Sequence, residues 1–146
     1  MEKSEACFWN LRAFVAPFDG GQQPSFLPTL AKTTHSLLLI WNTWEDSCEL
    51  ALTTWATLAQ KYTSPHLSFA TVGVRNHFDS WKEALKKNGA TSKTGTHWYA
   101  RHAETEILEA MFGAKRPLVV VMDAQANYVE HFSPFEKERL DRWLKR

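Results

Sequence analysis

Apolar residues in this chain fall into short unbroken runs, separated by stretches in which they recur every three or four positions. The first run, Leu37-Leu38-Leu39-Ile40-Trp41, has no polar alternation. It predicts a strand buried on both faces, as at the centre of an α/β sheet. Asn42-Thr43 interrupts it, and Thr43 followed by Asp46 predicts a helix cap. From residue 45 to about 62, Cys48, Leu52, Trp55, Ala59 and Tyr62 share one helical face that Leu58 widens, and Thr63-Ser64-Pro65 ends the helix. Residues 67–74 alternate and then turn apolar, which predicts a second strand. It would run parallel to the first, because a helix crosses between them.

Downstream, Asp79-Ser80 predicts the cap of a helix ending near Asn88, with Trp81 and Leu85 inward and Gly89 as its stop. Residues 90–97 read as a polar loop and residues 97–101 as a short edge strand. A helix over 104–112 buries Ile107, Leu108 and Met111 and stops at Gly113. Arg116-Pro117 precedes a buried strand over 118–123. A turn then leads to an alternating hairpin partner over 128–132. Ser133-Pro134-Phe135-Glu136 has the composition of a helix start, with Ser as cap, and Leu140, Trp143 and Leu144 form the inward face of the last helix. The order β-α-β-α-(loop)-α-β-β-α predicts a mixed central sheet of four or five strands flanked by helices in three layers.

Composition narrows the class. The 146 residues are 44% hydrophobic and 23% charged with a formal net charge of +1. That is the balance of one soluble globular domain, with no global field for nucleic acid or membrane. We expect one domain over residues 1–146, with 1–36 as a lead-in and 37–146 as the core. Seven Trp and nine Phe predict an aromatic-rich core or, in part, an exposed patch that meets a partner. Cys7 and Cys48 make no disulfide framework. No basic start followed by a long apolar region marks a signal peptide, and no apolar run predicts insertion in a membrane. The compartment is left open.

Two segments carry a resemblance. Ile40-Trp41-Asn42-Thr43-Trp44 running into Glu45-Asp46-Ser47-Cys48 resembles F-W-A-T-W-C-x-x-C of thioredoxin-like proteins of the TlpA/ResA type. Gly113-Ala114-Lys115-Arg116-Pro117-Leu118-Val119-Val120-Val121-Met122-Asp123 resembles the family's G-V-x-G-x-P-T-x-F-L-I-D. The resemblance covers roughly residues 12–146. It implies a thioredoxin-like sandwich with a cis-proline, Pro117, before the third central strand. Cys48 falls on the family's second cysteine, and Glu45 replaces the first, the nucleophile.

Dithiol exchange needs one thiolate to attack and a second to resolve. A carboxylate at Glu45 gains from the helix N-terminus but cannot do sulfur's work. Two functions follow as expectations. The first is a redox-degenerate protein-binding or accessory module. Its degenerate site is Trp44, Glu45, Asp46, Ser47 and Cys48, and its partner surface is Trp44, Arg116 and Pro117. The second is a single-cysteine oxidoreductase or peroxidase using Cys48. Acidic neighbours Glu45, Asp46 and Glu49 oppose a reactive thiolate there. The expected partner is a protein rather than nucleic acid. No cofactor or metal is expected, since His97 and His102 lack helical ligand spacing. A basic stretch from Arg75 to Arg101 that includes Trp81 and Trp98 is read as a solvated face rather than a nucleic-acid surface.

Overall fold

The computed structural model describes residues 33–62, 66–75, 77–89, 96–125 and 128–145. The expectations for the N-terminal lead-in and Cys7, and for the loop before the edge strand, lie largely outside these residues. The elements are β1 (His35–Trp41), α1 (Asp46–Tyr62), β2 (Leu67–Gly73), α2 (Phe78–Lys87), β3 (Thr96–Tyr99), α3 (His102–Phe112), β4 (Leu118–Asp123), β5 (Tyr128–Phe132) and α4 (Lys137–Leu144).

The five strands form one mixed sheet in the order β3-β2-β1-β4-β5. β1 lies parallel to β2 and antiparallel to β4, and β2 lies parallel to β3. The central strand explains its own sequence. Leu37, Leu39 and Trp41 point to one face, Leu38 and Ile40 to the other, and both faces are covered. On the first face lie α1 through Cys48, Leu52, Trp55 and Ala59, α2 through Trp81 and Leu85, and α4 through Leu140, Trp143 and Leu144. On the second, α3 packs Leu108 against Ile40, Val72, Trp98 and Val120. The result is the predicted α/β three-layer sandwich. Three buried indoles also find acceptors: Trp55 on Ala70 O (3.2 Å), Trp81 on Trp98 O (3.0 Å) and Trp143 on Glu130 Oε2 (2.9 Å).

Several ends differ from expectation. α2 begins at Phe78, preceded by His77, which makes no side-chain cap bond; Asp79-Ser80 lies inside the first turn. Tertiary packing sets that start, because Phe78 meets the rings of Trp81 and Tyr99. α3 starts two residues earlier than expected, at His102. Ser133 does not cap α4. Its N–H donates to Glu136 Oε2 (2.9 Å) and its Oγ accepts from Phe135 N–H (3.2 Å). The reciprocal bonds close a separate turn, and the helix begins one residue after Glu136. The two glycine stops are as expected, with positive φ at Gly89 (77°) and Gly113 (83°). Trp81 and Trp98 have no exposed surface, so they are core residues rather than members of the basic surface stretch.

Candidate functional site

β1, the loop after it and the first turn of α1 carry the E-D-S-C segment. The strand's pairing runs one residue past β2, with Val74 N–H on Trp41 O (2.8 Å). The chain then turns at Asn42, which is buried. Asn42 closes that turn from both sides. Its Oδ1 accepts from Glu45 N–H (3.0 Å), and its own N–H donates to Cys48 Sγ (3.4 Å). Cys48 N–H in turn donates to Glu45 O (3.0 Å). An Asn side chain that takes a backbone N–H two or three residues on is a standard way to enter a helix. The sequence pattern predicts a cap at Thr43, whereas the side chain that takes the Glu45 N–H is Asn42.

The five residues do not share one environment. Trp44 is 64% exposed. Asp46 and Ser47 are exposed, Glu45 is half-buried, and Cys48 is 0% exposed. Cys48 is therefore a core residue, packed with Trp41, Leu52 and Trp55. Burial pushes its thiol from 9.0 up to about 11; the Asn42 N–H opposes this, Glu45 adds to it, and Arg116 opposes it. The acidic surroundings named from sequence do act, through Glu45, but loss of water is the larger cause.

Arg116 is the main correction at the site. Expected on the partner surface, its side chain is only 2% exposed. Its Nη1 donates to Gly113 O (2.9 Å) and Lys115 O (2.7 Å), bracing the loop before Pro117. Its Nη2 lies 3.8 Å from Glu109 Oε2. Two loop carbonyls hold the guanidinium inward, with the Glu109 carboxylate of α3 nearby, where sequence places it outside. Burial lowers its pKa, while Glu109, Cys48 and Glu45 work against that. Among the described residues, Arg116 Nε and Nη2 are buried without a hydrogen-bond partner. Glu109 is shared: Arg75 Nε and Nη2 grip it in a fork at 2.6 and 2.5 Å. Those bonds hold the Glu109 carboxyl below its usual range. Nothing in the sequence links Arg75, Glu109 and Arg116, which come from three separate segments. The Arg116–Pro117 peptide bond is cis, and Pro117 is buried.

The two histidines considered as ligands have other roles. His97 is buried with Nδ1 2.9 Å from Thr71 Oγ1, and the exposed His102 Nε2 lies 2.9 Å from Glu106 Oε1. Among the described residues no group of three His, Cys, Asp or Glu is placed to hold a metal ion.

No protein-family model and no curated protein matches this sequence. Solved structures do match in three dimensions. The structure of MTB DsbF, in mixed oxidized and reduced forms, superposes with a TM-score of 0.68 at 20% identity, over 92% of this chain and 94% of that one. A thiol:disulfide interchange protein of the thioredoxin family from Chlorobium tepidum gives 0.71 at 18% identity, over 90% of each chain. StoA from Bacillus subtilis gives 0.66 at 16% identity, over 89% and 94%. These likenesses extend over most of both chains, and what they establish for this protein is its fold, the thioredoxin-like α/β sandwich of thiol-disulfide oxidoreductases.

Proposed function

We propose that this protein is a redox-degenerate member of the thioredoxin-like group that works by binding a protein partner, not by exchanging disulfides. The observation that carries the reading is the state of Cys48. It is fully buried, its thiol is pushed up to about 11, and a glutamate stands three residues before it where the nucleophile would be. A thiolate is the reactive form, so at neutral pH a thiol of pKa 11 supplies about one part in ten thousand of it. The surface kept for a partner is the exposed Trp44 together with the loop before Pro117. Arg116 contributes its main chain there, since its side chain is turned inward.

The alternative, a lone catalytic Cys48, requires an accessible thiol of lowered pKa, and both burial and the direction of the shift weigh against it. Among the described residues no helix is long and apolar enough to cross a membrane.

Two measurements test the proposal together. The natural chain should show no reduction of insulin disulfides. An extended peptide from a co-purifying partner should bind, and Trp44→Ala should weaken that binding while moving the unfolding free energy by less than about 0.5 kcal/mol. Insulin reduction that survives Cys7→Ser and is lost in Cys48→Ser would overturn the reading.

A further inference from the structure

Trp41 ends β1 and packs with residues of α1 and α2. A cleft of about 260 Å³ lies beside it and is lined from both helices. Its base is made by the buried Trp41, Asn42 and Leu52, and its rim by the exposed Glu49, Glu83 and Lys87. Lys87 Nζ reaches Glu49 Oε1 at 3.0 Å and so ties α2 to α1 across the rim.

Two features of the lining bear on what the cleft accepts. The first is an unmet donor at its base. Trp41 is 0% exposed, and its indole Nε1 is buried with no hydrogen-bond partner among the described residues. The indoles of Trp55, Trp81 and Trp143 each donate to an oxygen, so the fold does supply acceptors to buried indoles elsewhere. A buried donor left unbonded is costly, and the cleft that Trp41 lines is where an acceptor can approach it. The second feature is charge. Two carboxylates stand against one ammonium at the rim, and Glu83 takes no part in the Lys87–Glu49 pair. That negative excess opposes a carboxylate or a phosphate as the missing acceptor. It favours a neutral acceptor that carries donors of its own.

We infer that this cleft binds a primary carboxamide. The carbonyl oxygen accepts from Trp41 Nε1 at the base, and the amide N–H groups donate toward the Glu83 carboxylate at the rim. A carboxylate of the same shape supplies the acceptor but no donor, and an ammonium supplies only donors. The site shares Asn42 with the turn of the E-D-S-C segment. It uses neither Trp44 nor Cys48 and does not rest on the partner-binding reading. A primary carboxamide arrives either on a small molecule or as a glutamine side chain of a peptide, and the two sources are separable by experiment.

The test follows the assigned indole N–H signals of the isotopically labelled full chain at ionic strength held constant with sodium chloride. Acetamide supplies the free group, and a blocked Ala-Gln-Ala tripeptide supplies it on a side chain. Acetate and a blocked Ala-Leu-Ala tripeptide are the controls. The expected result is a saturable shift of the Trp41 indole N–H with acetamide or the glutamine peptide, and none with either control. The arm that saturates at lower concentration identifies the source. Trp41→Phe, which keeps a ring and removes the N–H, should weaken the affinity about tenfold, and Glu83→Ala about threefold, the range one hydrogen bond spans. Glu83 is exposed, so its variant leaves the core untouched, and with the natural chain's own signal it decides the matter if Trp41→Phe does not fold. Shifts that rise linearly, as for an N–H held by water alone, would overturn the inference. So would shifts as large with acetate or the leucine peptide, shifts spread over every indole, or an affinity unchanged in Glu83→Ala.

Discussion

Cys48 sets a stability limit at alkaline pH that can be calculated. Its thiol titrates near 9.0 in the unfolded chain and near 11 in the fold. Below pH 9 both states keep the proton and nothing is lost. Above it the unfolded chain releases the proton first, so stability falls as pH rises from about 9 to about 11. Two pKa units correspond to about 2.7 kcal/mol in full, and about 1.3 kcal/mol of that is lost between pH 8 and pH 10. The assay is urea unfolding at pH 8, 9 and 10, on Cys7→Ser and on Cys7→Ser with Cys48→Ala. Tyrosines and lysines titrate in both chains and cancel in the comparison. The alanine variant should show a constant offset from its lost packing and a shallower alkaline decline. Native-state alkylation is the companion measurement. The shift alone makes the thiolate about a hundredfold scarcer at pH 7.5 than for an ordinary thiol. Parallel pH curves for the two chains, or alkylation of the folded protein at pH 7 as fast as that of a free thiol, would refute the reasoning.

Glu45→Cys places two cysteines in C-x-x-C register with the first at the start of α1, where a thiolate is favoured; mass spectrometry should show a 45–48 disulfide, and insulin reduction should rise above that of the natural chain. Glu130 takes bonds from Arg139 (2.6 Å) and Trp143 Nε1 (2.9 Å), and Arg139 holds its carboxyl below the usual range. Its contribution is therefore present above the ordinary value of 4.5 and fades as pH falls through the lowered one. Glu130→Ala should cost about 1–2 kcal/mol in urea unfolding at pH 7 and less near pH 3.

How far sequence carries depends on how local the cause is. The central strands were legible because Leu37 to Trp41 and Leu118 to Met122 are apolar at every position, a pattern that suits burial on both faces. The helix faces followed from spacing alone. Starts were less legible. Phe78 begins α2 because Trp81 and Tyr99 receive its ring, and Ser133 and Glu136 use their capping bonds on a turn instead of a helix. At the site, the glutamate at position 45, where the family resemblance would place a cysteine, could be read directly. The burial of Cys48 followed from its place on the apolar face of α1. The inward turn of Arg116 could not be read, because the carboxylate it faces, Glu109, belongs to another element.

The single carboxylate shared by two arginines ties the history of three segments together. Arg75 follows β2, Glu109 lies on α3, and Arg116 precedes Pro117. Loss of Glu109 would leave a side chain only 2% exposed with its charge uncompensated, a heavier penalty than loss of either surface pair. Loss of Arg116 would leave Glu109 still satisfied by Arg75. The order of substitutions therefore matters. A lineage that drops Arg116 first loses the loop brace but strands no charge, whereas the reverse path passes through a buried guanidinium without its carboxylate. The clasp acts as a ratchet on sequence drift, and it holds the turn at Pro117 in place whichever residue stands at position 45.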